Sequence, residues 1–585
     1  MNTLFVDFET HDPHLTTMGP GWAYGLLDIL CMGYRVNDEE TKVTDDEDVI
    51  KSLVGNADII VAHNAQYDIG ILYGLIPDLM TRNIKFIDTV LMAKLYSNIE
   101  DQYSLNYLSK KYLDDSKTTG SLGEVVLKHK LINVRDPSTK LSQTKADNFA
   151  KKNMKLVFEA DPETVKEYCI QDVNLCAKLY HFYLNKVEAA QLDKFSTLLK
   201  ILMKSRMRGV RIDSSKLHDI KVKLETNRNS ILESLKQISG NDEFNPLSNT
   251  DIAQVLIKEG VKIPMTAKGN LSIVSAWLEE QTKSPVCSKI VEYRVLDKLS
   301  RDFCDNILRM QSKLPVNYKG RIYPTFNILG AETGRFSCKG PNLQQIPNAK
   351  KHKELGALIR SCYLPEEGQN WASLDYSAQE PRLQVHYASL IGAEGADLLV
   401  AEYNNNPNLD LHKLVADIAG IERNHAKTIN LGLAYGMGSK KLSASLGLSA
   451  RQGELLIRQY HDAMPYLKVL DASAKKSLKD KKYIKTLGGR KLRLDRPWIS
   501  PIDGEEKTFE YKALNKLIQG GSADQIIAAM IALDEAGFTI ISSIHDEINI
   551  SVNSKEDAER ARHIMENVVQ LKVPSVAELS FKSTW

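Results

Sequence analysis

Cysteine is scarce in this sequence and never paired in a motif. The 585 residues include seven cysteines, an odd number, and none of them forms a C-x-x-C pair. This pattern argues against a disulfide framework and against a zinc site, and it favours a reducing cytoplasm. A run of about 18 apolar residues is also lacking, as is a basic segment followed by an apolar run at the N-terminus. Neither a membrane span nor secretion is therefore expected.

An excess of charge of one sign is lacking too. The formal net charge of +2 at pH 7 does not by itself indicate a protein that binds nucleic acid. One stretch is locally basic and can face phosphate groups; it contains Lys475, Lys476, Lys479, Lys481, Lys482, Lys485, Arg490, Lys491 and Arg493. Taken alone, this stretch is more simply interpreted as the solvated surface of a helix and a hairpin.

The chain is too long for one hydrophobic core, and its length predicts about three to four domains. Residues 1–190 alternate apolar strands with helical patterns, which is typical of an α/β domain. Residues 189–314 are mostly helical, and the residues beyond 335 again alternate short strands with helices. The sequence thus predicts an α/β protein of several domains.

A first set of acidic residues is spread over the N-terminal part. Asp7 and Glu9 lie two apart on a predicted strand, so both side chains leave the same face. Asp68 follows an apolar strand, and Tyr168 and Asp172 lie four apart on a helix. Four carboxylates can hold two magnesium ions, which activate a water and stabilise a leaving oxygen at phosphorus. The alternative is four acids with unrelated structural roles.

A second set lies in the C-terminal half. Asp375 ends an apolar strand, and Asp546 lies at the tip of a hairpin. The two aspartates can face each other across adjacent strands and hold two cations, with the backbone carbonyl of Tyr376 as a further ligand. Capping of turns is the alternative role for either aspartate.

Between these two aspartates, four residues are spaced by four on a predicted helix: Arg423, Lys427, Leu431 and Tyr435. This spacing makes them a slowly drifting ridge on one helix face. Arg423 can bind the terminal oxygens of a triphosphate, and Lys427 can offer a charge, or a proton, to the leaving pyrophosphate. An ordinary amphipathic helix with solvated basic residues is the alternative.

These patterns carry a resemblance to two known groups. Residues 1–190 resemble the DEDD exonucleases of the tyrosine-containing subtype, and essentially the whole chain resembles the family A DNA polymerases. The matching stretches are T-G-R-F-S-C-K-G-P-N-L-Q-Q-I-P at 333–347, D-Y-S-A-Q-E-P-R at 375–382, R-N-H-A-K-T-I-N-L-G-L-A-Y-G at 423–436, N-K-L-I-Q-G at 515–520, H-D-E at 545–547 and the terminal Trp585.

The resemblance implies the fold and the activity. It implies an RNase H-like 3′→5′ exonuclease domain at 1–190, followed by a right-hand polymerase with a helical thumb at 191–335, a palm at 336–409 and 511–585, and fingers at 410–510. The implied activity is template-directed extension of a primer 3′-hydroxyl with dNTPs, with proofreading, in a phage replicative polymerase.

The resemblance also assigns roles to residues. The exonuclease metal ligands are Asp7, Glu9, Asp68 and Asp172, with Glu9 and Tyr168 orienting the attacking water; the polymerase ligands are Asp375, Tyr376 and Asp546, with Glu547 as a supporting acid. The incoming nucleotide is assigned to Tyr376, Gln379, Glu380, Arg423, Lys427, Leu431 and Tyr435, where Glu380 and Tyr435 exclude a ribose 2′-hydroxyl. Primer and template are assigned to Arg335, Asn342, Gln344, Arg360, Asn515, Gln519 and His545.

The implied cofactor is Mg²⁺, two ions in each site, with Mn²⁺ able to substitute. The implied partners are primer-template DNA, dNTPs and the helicase, primase or single-strand-binding protein of a replisome. We expect a monomer without membrane partners in the cytoplasm, which is that of the bacterial host if the gene is viral. The alternatives are a repair-type polymerase, a nucleic-acid-binding protein in which only the exonuclease is active, a nuclease whose C-terminal half positions substrate, and a single-subunit RNA polymerase, which Glu380 disfavours.

The sequence departs from the family pattern in two positions. Leu431 stands where the family usually has Phe or Tyr opposite the sugar, and Tyr511 stands where Arg is common. No function is assigned to residues 110–155, which are rich in lysine, serine and threonine.

Leu431 leads to the first prediction. The resemblance implies that, in tyrosine-bearing relatives, the phenolic hydroxyl substitutes for a missing 3′-hydroxyl. Leucine lacks that hydroxyl, so the enzyme should discriminate against dideoxynucleotides. Leu431→Tyr should relax that discrimination by about 1 to 3 kcal/mol, the scale of one charge-assisted hydrogen bond. Competition between dTTP and its dideoxy analogue measures the change. An unchanged ratio, with both proteins folded and active, would mean that Leu431 only packs within the helix bundle.

Overall fold

A computed structural model describes residues 1–116, 122–132, 142–266, 269–281, 284–347, 353–434, 437–500 and 504–585. The chain forms two compact units. Unit 1 consists of Met1–Gly209, Tyr323–Gln344 and Pro365–Ser583, and unit 2 of Val210–Ile322, Gln345–Leu364 and Thr584–Trp585. Among the described residues, no helix is long and apolar enough to cross a membrane.

The first 209 residues build a mixed sheet covered by helices. Its five strands run in the order β3-β2-β1-β4-β5, where β1 is antiparallel to β2 and parallel to β4. The strands are β1 (Thr3–His11), β2 (Asp28–Val36), β3 (Lys42–Thr44), β4 (Ile59–Ala62) and β5 (Lys85–Asp88). The helices are α1 (Leu15–Met18), α2 (Glu47–Gly55), α3 (Asp68–Leu75), α4 (Thr89–Tyr96), α5 (Leu105–Leu113), α6 (Leu122–Lys128), α7 (Gln143–Lys152), α8 (Met154–Ala160), α9 (Pro162–Leu184) and α10 (Ala189–Arg208).

The local sequence explains these elements. All four residues of β4 are apolar and buried, as expected for a strand with neighbours on both sides and helices on both faces. Helix α9 begins at Pro162, whose fixed φ suits the first helical position, and the Asp161 side chain caps it by accepting a hydrogen bond from the backbone of Thr164. The predicted alternation of strands and helices is therefore present.

Residues 210–364 contain most of unit 2. Their strands are β6 (Val210–Ile212), β7 (Arg321–Ile322), β8 (Thr325–Asn327), β9 (Ser337–Lys339) and β10 (Tyr363–Leu364), and their helices are α11 (Ser214–Ser239), α12 (Asn249–Lys258), α13 (Ser275–Glu280), α14 (Pro285–Lys298), α15 (Asn306–Lys313) and α16 (Lys353–Arg360). A π-helical turn at Leu299–Asp305 joins α14 to α15, so the chain is helical without a break from Pro285 to Lys313. Strands β10, β6 and β7 form a small sheet of unit 2, whereas β8 and β9 pair within unit 1.

The C-terminal tryptophan is anchored in unit 2. The ring of Trp585 packs edge-on against Tyr363 with centroids 5.3 Å apart, and the guanidinium of Arg360 lies 4.3 Å from the Trp585 ring. The same arginine donates from Nε to the carbonyl of Pro347 at 3.0 Å. A cation over an aromatic face is favourable, and it fixes the orientation of Arg360.

The remaining residues form the second large sheet and its helices. Four antiparallel strands run in the order β16-β17-β11-β18. The strands of this region are β11 (Asn370–Tyr376), β12 (Ile484–Lys485), β13 (Lys491–Leu492), β14 (Trp498–Ile499), β15 (Glu506–Lys507), β16 (Thr539–Ile544), β17 (Glu547–Val552) and β18 (Ala577–Lys582). The helices are α17 (Gln379–Leu390), α18 (Ala396–Asn405), α19 (Leu411–Ala419), α20 (Arg423–Ala434), α21 (Ser439–Ser445), α22 (Ala450–Ala463), α23 (Pro465–Lys481), α24 (Ala513–Glu535) and α25 (Lys555–Asn567).

A buried ion pair ties the β12–β13 hairpin to helix α24. Arg490 Nε lies 2.6 Å from Asp524 Oδ1, and both side chains are only 3% exposed. Asp524 also accepts hydrogen bonds from the hydroxyl of Thr486 and, at 2.7 Å, from the backbone N–H of Gly488. A Cβ at Gly520 of α24 would lie 2.6 Å from Thr486 Cγ2, so only glycine permits this approach. Within the basic stretch, Arg490 is thus structural, whereas Lys476, Lys479, Lys481, Lys482 and Lys485 are exposed.

This pair gives a stability prediction. Asp524→Ala would leave the Arg490 charge buried without its partner, and removing one member of a buried ion pair costs about 3–5 kcal/mol. The unfolding midpoint in urea should fall accordingly. The control is Asp417→Ala, which breaks the exposed Lys413–Asp417 pair at 3.0 Å and should change stability by less than about 0.5 kcal/mol. Equal effects of the two substitutions would contradict the assignment.

Two candidate active sites

The first site lies where β1, α3 and α9 meet. Strand β1 presents Asp7 and Glu9, α3 begins at Asp68, and Asp68 Oδ1 accepts a hydrogen bond from the backbone of Phe8 at 3.0 Å. Burial, and next the negative charge of Asp7, raise the pKa of Asp68 well above its usual value. Like charges are therefore held close together in a buried place, and a divalent cation would relieve that repulsion.

Helix α9 contributes the other two predicted residues. Burial is the largest cause that raises the pKa of Tyr168, and the charges of Asp172, Glu9 and Asp7 follow in that order. The structure thus brings Tyr168 and Asp172 to the carboxylates of β1, although about 160 residues separate them in the sequence.

Cys169 is a neighbour of this site that the sequence analysis did not single out. Its Sγ lies 3.6 Å from Asp7 Oδ2, and one ligand atom from each of Asp7, Glu9 and Cys169 falls within 4.8 Å of the others. A hydrogen bond with Cys31, and then burial, raise the pKa of Cys169 well above its usual value, so the thiol stays protonated. The sequence does contain one indication of this position, because Cys169 directly follows Tyr168.

A cavity of about 650 Å³ opens beside Asp7, Glu9 and Asp68. The β8–β9 hairpin supplies part of its wall through Thr325, Asn327 and Lys339, and α7 supplies Lys151 and Lys152. Gln66 Nε2 donates to the carbonyl of Phe326 at 2.9 Å, which fixes the hairpin beside the site. Lysines at the wall of a cavity that ends in carboxylates suit a substrate with a phosphate backbone.

The second site lies on the β16-β17-β11-β18 sheet. Asp375, near the end of β11, pairs directly with Glu547 at the start of β17, and the backbone N–H of Tyr376 donates to the carbonyl of Asp546 at 3.2 Å. Directly opposed residues of antiparallel strands point to the same face. Asp375 and Glu547 therefore share one face, with Asp546 in the adjoining turn, and carboxylate oxygens are the ligands that hard divalent cations prefer.

Two residues beside this site have left-handed backbone without being glycine. His545, in the hairpin turn, has φ 58°, and Ala378, which precedes α17, has φ 50°. Such conformations are costly for residues with a Cβ and are found at functional sites where the surrounding structure holds them. His545 is exposed at the turn, beside the acids.

Helix α20 carries the predicted ridge, and a neighbouring aspartate holds its arginine. Arg423 Nη2 lies 2.6 Å from Asp410 Oδ2, and Lys427 follows one turn later. His412 belongs to the same cluster: burial lowers its pKa, Asp410 opposes that shift, and the charges of Lys427 and Arg423 add to it. His412 was not among the residues predicted from the sequence, although Asp410 and His412 precede the motif that begins at Arg423. Leu431 is half-buried, and Tyr435 lies outside the described residues.

The other predicted contact residues are half-buried or buried. Glu380 accepts a hydrogen bond from Arg335 Nη2 at 2.7 Å. Gln379 is 5% exposed and bonds to Gln525 Oε1 at 3.1 Å, so its side chain lies in the packing against α24. Asn515 and Gln519 are half-buried and four apart on α24, and therefore share one face.

Two further predicted residues support each other in the segment before α16. Asn342 Oδ1 accepts from the backbone N–H of Gln344 at 3.0 Å, while Gln344 Nε2 donates to the carbonyls of Phe336 at 3.2 Å and Ser543 at 3.5 Å. The last contact brings Gln344 to the end of β16, beside the turn that carries His545.

Comparison with known protein families shows to which family the chain belongs. The sequence model of DNA polymerase family A matches residues 214–585. Since this is more than half of the 585 residues, the chain belongs to DNA polymerase family A, and it is a DNA-directed DNA polymerase.

Phage and bacterial relatives extend the match. The chain is 29% identical to a DNA-directed DNA polymerase of Pseudomonas phage M6, covering 99% of this chain and 93% of the relative. It is 27% identical to DNA polymerase DpoZ of Vibrio phage phiVC8, covering 81% and 77%. It is 28% identical to the thermostable DNA polymerase I of Thermus thermophilus, covering 66% and 47%.

A solved structure shows the same fold. The polymerase domain of Pol1 from M. smegmatis, in complex with DNA primer-template and dNTP, superposes with a TM-score of 0.76 at 21% identity, covering 100% of this chain and 95% of that one. The prediction of an α/β multidomain protein with the right-hand polymerase architecture is thereby confirmed, as is the prediction of family A. Members of this family depend on metal ions.

Proposed function

We propose that this polymerase extends the 3′-hydroxyl of a primer with dNTPs at the Asp375–Asp546 site, using two Mg²⁺ ions that Mn²⁺ can replace. The observation that carries this assignment is the register that sets Asp375 opposite Glu547 beside Asp546. When bound there, the ions supply charge neutralisation for the attacking 3′ oxygen and for the departing pyrophosphate. Asp375, Asp546 and the carbonyl of Tyr376 are the proposed ligands, with Glu547 as the supporting acid.

In this proposal, the cluster on α19 and α20 binds the triphosphate of the incoming dNTP. Arg423, Lys427 and His412 offer donors of hydrogen bonds to phosphate oxygens, and a guanidinium suits two of them at once. The Arg423–Asp410 bond of 2.6 Å keeps the guanidinium oriented until a phosphate competes for it. Lys427 then donates charge or a proton to the leaving pyrophosphate.

Discrimination between sugars is assigned to Glu380. The bond from Arg335 at 2.7 Å holds its carboxylate in one place, and the side chain is only 15% exposed. A fixed carboxylate beside the C2′ position leaves no room for a hydroxyl, so selection would come from exclusion. Primer extension with dNTPs and with NTPs tests this assignment.

The N-terminal site is proposed to be a proofreading 3′→5′ exonuclease. Asp7, Glu9, Asp68 and Asp172 would hold two further metal ions, and Tyr168 would orient the attacking water. Two observations support this: burial, and then the charge of Asp7, raise the pKa of Asp68, and the carboxylates lie beside a cavity with lysines at its wall. The single-stranded 3′ end of the primer is the proposed substrate.

The wider setting follows from the phage relatives. We propose a replicative role in a phage replisome, in the cytoplasm of a bacterial host, as a monomer that works with a helicase, a primase or a single-strand-binding protein. The same proposal includes the domain boundaries at 190, 335, 409 and 510. It also includes contacts to DNA by Arg335, Asn342, Gln344, Arg360, Asn515, Gln519 and His545.

Lys427 provides a test of the triphosphate cluster. Lys427→Ala should lower the single-turnover rate of dNTP incorporation by about 100-fold or more, because it removes the proposed charge and proton donor. The affinity for primer-template should stay unchanged. Lys413→Ala is the matched control, since Lys413 is an exposed lysine on the neighbouring α19. An unchanged incorporation rate in Lys427→Ala would remove Lys427 from the chemistry.

The two activities should be separable by mutation. Asp7→Ala with Glu9→Ala should abolish 3′ degradation of single-stranded DNA and leave extension nearly intact, because Asp7 and Glu9 belong to a different sheet from Asp375. Degradation and extension are measured with one labelled primer, with and without template, in Mg²⁺ and in metal-free buffer.

The control for this experiment is Glu39→Ala with Glu40→Ala, two exposed acids after β2. Loss of both activities in the folded Asp7 and Glu9 variant would refute the separation, and wild-type protein without any 3′ degradation would refute the exonuclease itself.

A further inference from the structure

A hydrogen-bonded network lies directly behind the polymerase carboxylates. Asn549 of β17 is completely buried, and its Nδ2 donates to Glu547 Oε1 at 2.7 Å. Its Oδ1 accepts from the Ser373 hydroxyl at 2.6 Å and from Trp371 Nε1 at 2.8 Å. Trp371 and Ser373 belong to β11, the strand that carries Asp375.

Strand register explains why these groups meet. Ser373 pairs directly with Asn549, and Asp375 pairs directly with Glu547, two residues further along each strand. Residues two apart on a strand share a face, so the four side chains form two neighbouring rows on one face of the sheet. The row of Ser373 and Asn549 supports the row of acids.

The chemistry of the partners fixes the orientation of the amide. An indole N–H can only donate, so the atom of Asn549 that faces Trp371 must be the acceptor oxygen. The Nδ2 group then has to point to Glu547, whose carboxylate is an acceptor. The roles of donor and acceptor along this hydrogen-bonded network, from Trp371 to Glu547, can therefore be assigned in only one way.

Packing alone does not require this amide. Trp371 Nε1 also donates to Ser373 Oγ at 3.1 Å, so the indole has a second acceptor on its own strand. A buried amide is costly unless its polar atoms are bonded, and here one of those bonds is made to Glu547. We infer that Asn549 is a positioning residue that sets the carboxylate of Glu547 for nucleotidyl transfer, an inference that rests on the role proposed above for Glu547.

A double-mutant cycle separates this role from a merely structural one. Asn549→Leu keeps the side-chain size but removes the bond to Glu547, and it should lower the single-turnover rate of incorporation about tenfold with an unchanged dissociation constant for primer-template. In a Glu547→Ala background, Asn549→Leu should have no further effect, because it acts through Glu547. Rates are followed for hours so that slow variants are measured.

Two further variants serve as a control and as a replacement. Ser551→Ala, on the same strand and face, removes bonds to Gln369 and to the backbone of Glu366 and should leave the rate unchanged. If Asn549→Leu does not fold, as judged by circular dichroism, Ser373→Ala replaces it; it removes the hydroxyl that holds Oδ1 and should give a smaller loss that again disappears in the Glu547→Ala background.

The results distinguish the inference from its premise. An equal loss from Asn549→Leu in both backgrounds, or a loss in primer-template affinity alone, would overturn the positioning role. If Glu547→Ala by itself leaves the rate unchanged, the role assigned to Glu547 under the proposed function is wrong, whatever Asn549 does.

Discussion

Repulsion between neighbouring carboxylates is the constraint around which this protein is built. In the N-terminal sheet burial, and then the charge of Asp7, raise the pKa of Asp68, and in the C-terminal sheet Asp375 pairs directly with Glu547 across two strands. Like charges held close together in a partly buried place repel each other. A rigid frame is needed to hold the carboxylates close together. A divalent cation bound between them would be attracted to both and would remove the repulsion.

The rest of the structure supplies that rigidity with buried polar contacts. Asp524 binds Arg490 and the backbone of Gly488, which joins a hairpin to the long helix α24. Asn549 connects Trp371 and Ser373 to Glu547. A buried polar group without a hydrogen-bond partner destabilises the folded state, so a buried network stabilises the fold only when all of its members are bonded. They resist the movement that repulsion between the acids would otherwise cause.

The two sites stand in one compact unit but rest on separate sheets. The β8–β9 hairpin belongs to this unit and forms part of the wall of the cavity beside Asp7, while Arg335, between those two strands, binds Glu380. One short segment thus serves the surroundings of both sites.

Elements whose signals are local could be predicted from the residues alone. Period-two alternation and apolar runs predicted β1, β4, β11 and the β16–β17 hairpin, and spacing by four predicted the ridge of α20, because these patterns reflect the geometry of one element. The motifs also predicted family A. The finer roles of the named residues, with Tyr435 outside the described part of the chain, stay predictions for the experiments above.

Tertiary structure alone decided which distant groups meet. Cys169 beside Asp7, the burial of Gln379 and Arg490, and the bonds from Trp371 and Ser373 to Asn549 depend on strand register and helix packing over long separations in sequence. The approach of His412 to Arg423 depends on how α19 and α20 lie together. A shift of one residue in the pairing of β11 and β17 would turn Asn549 to the other face without changing any local pattern. That register cannot be predicted from composition or spacing, because it depends on the packing of the whole sheet.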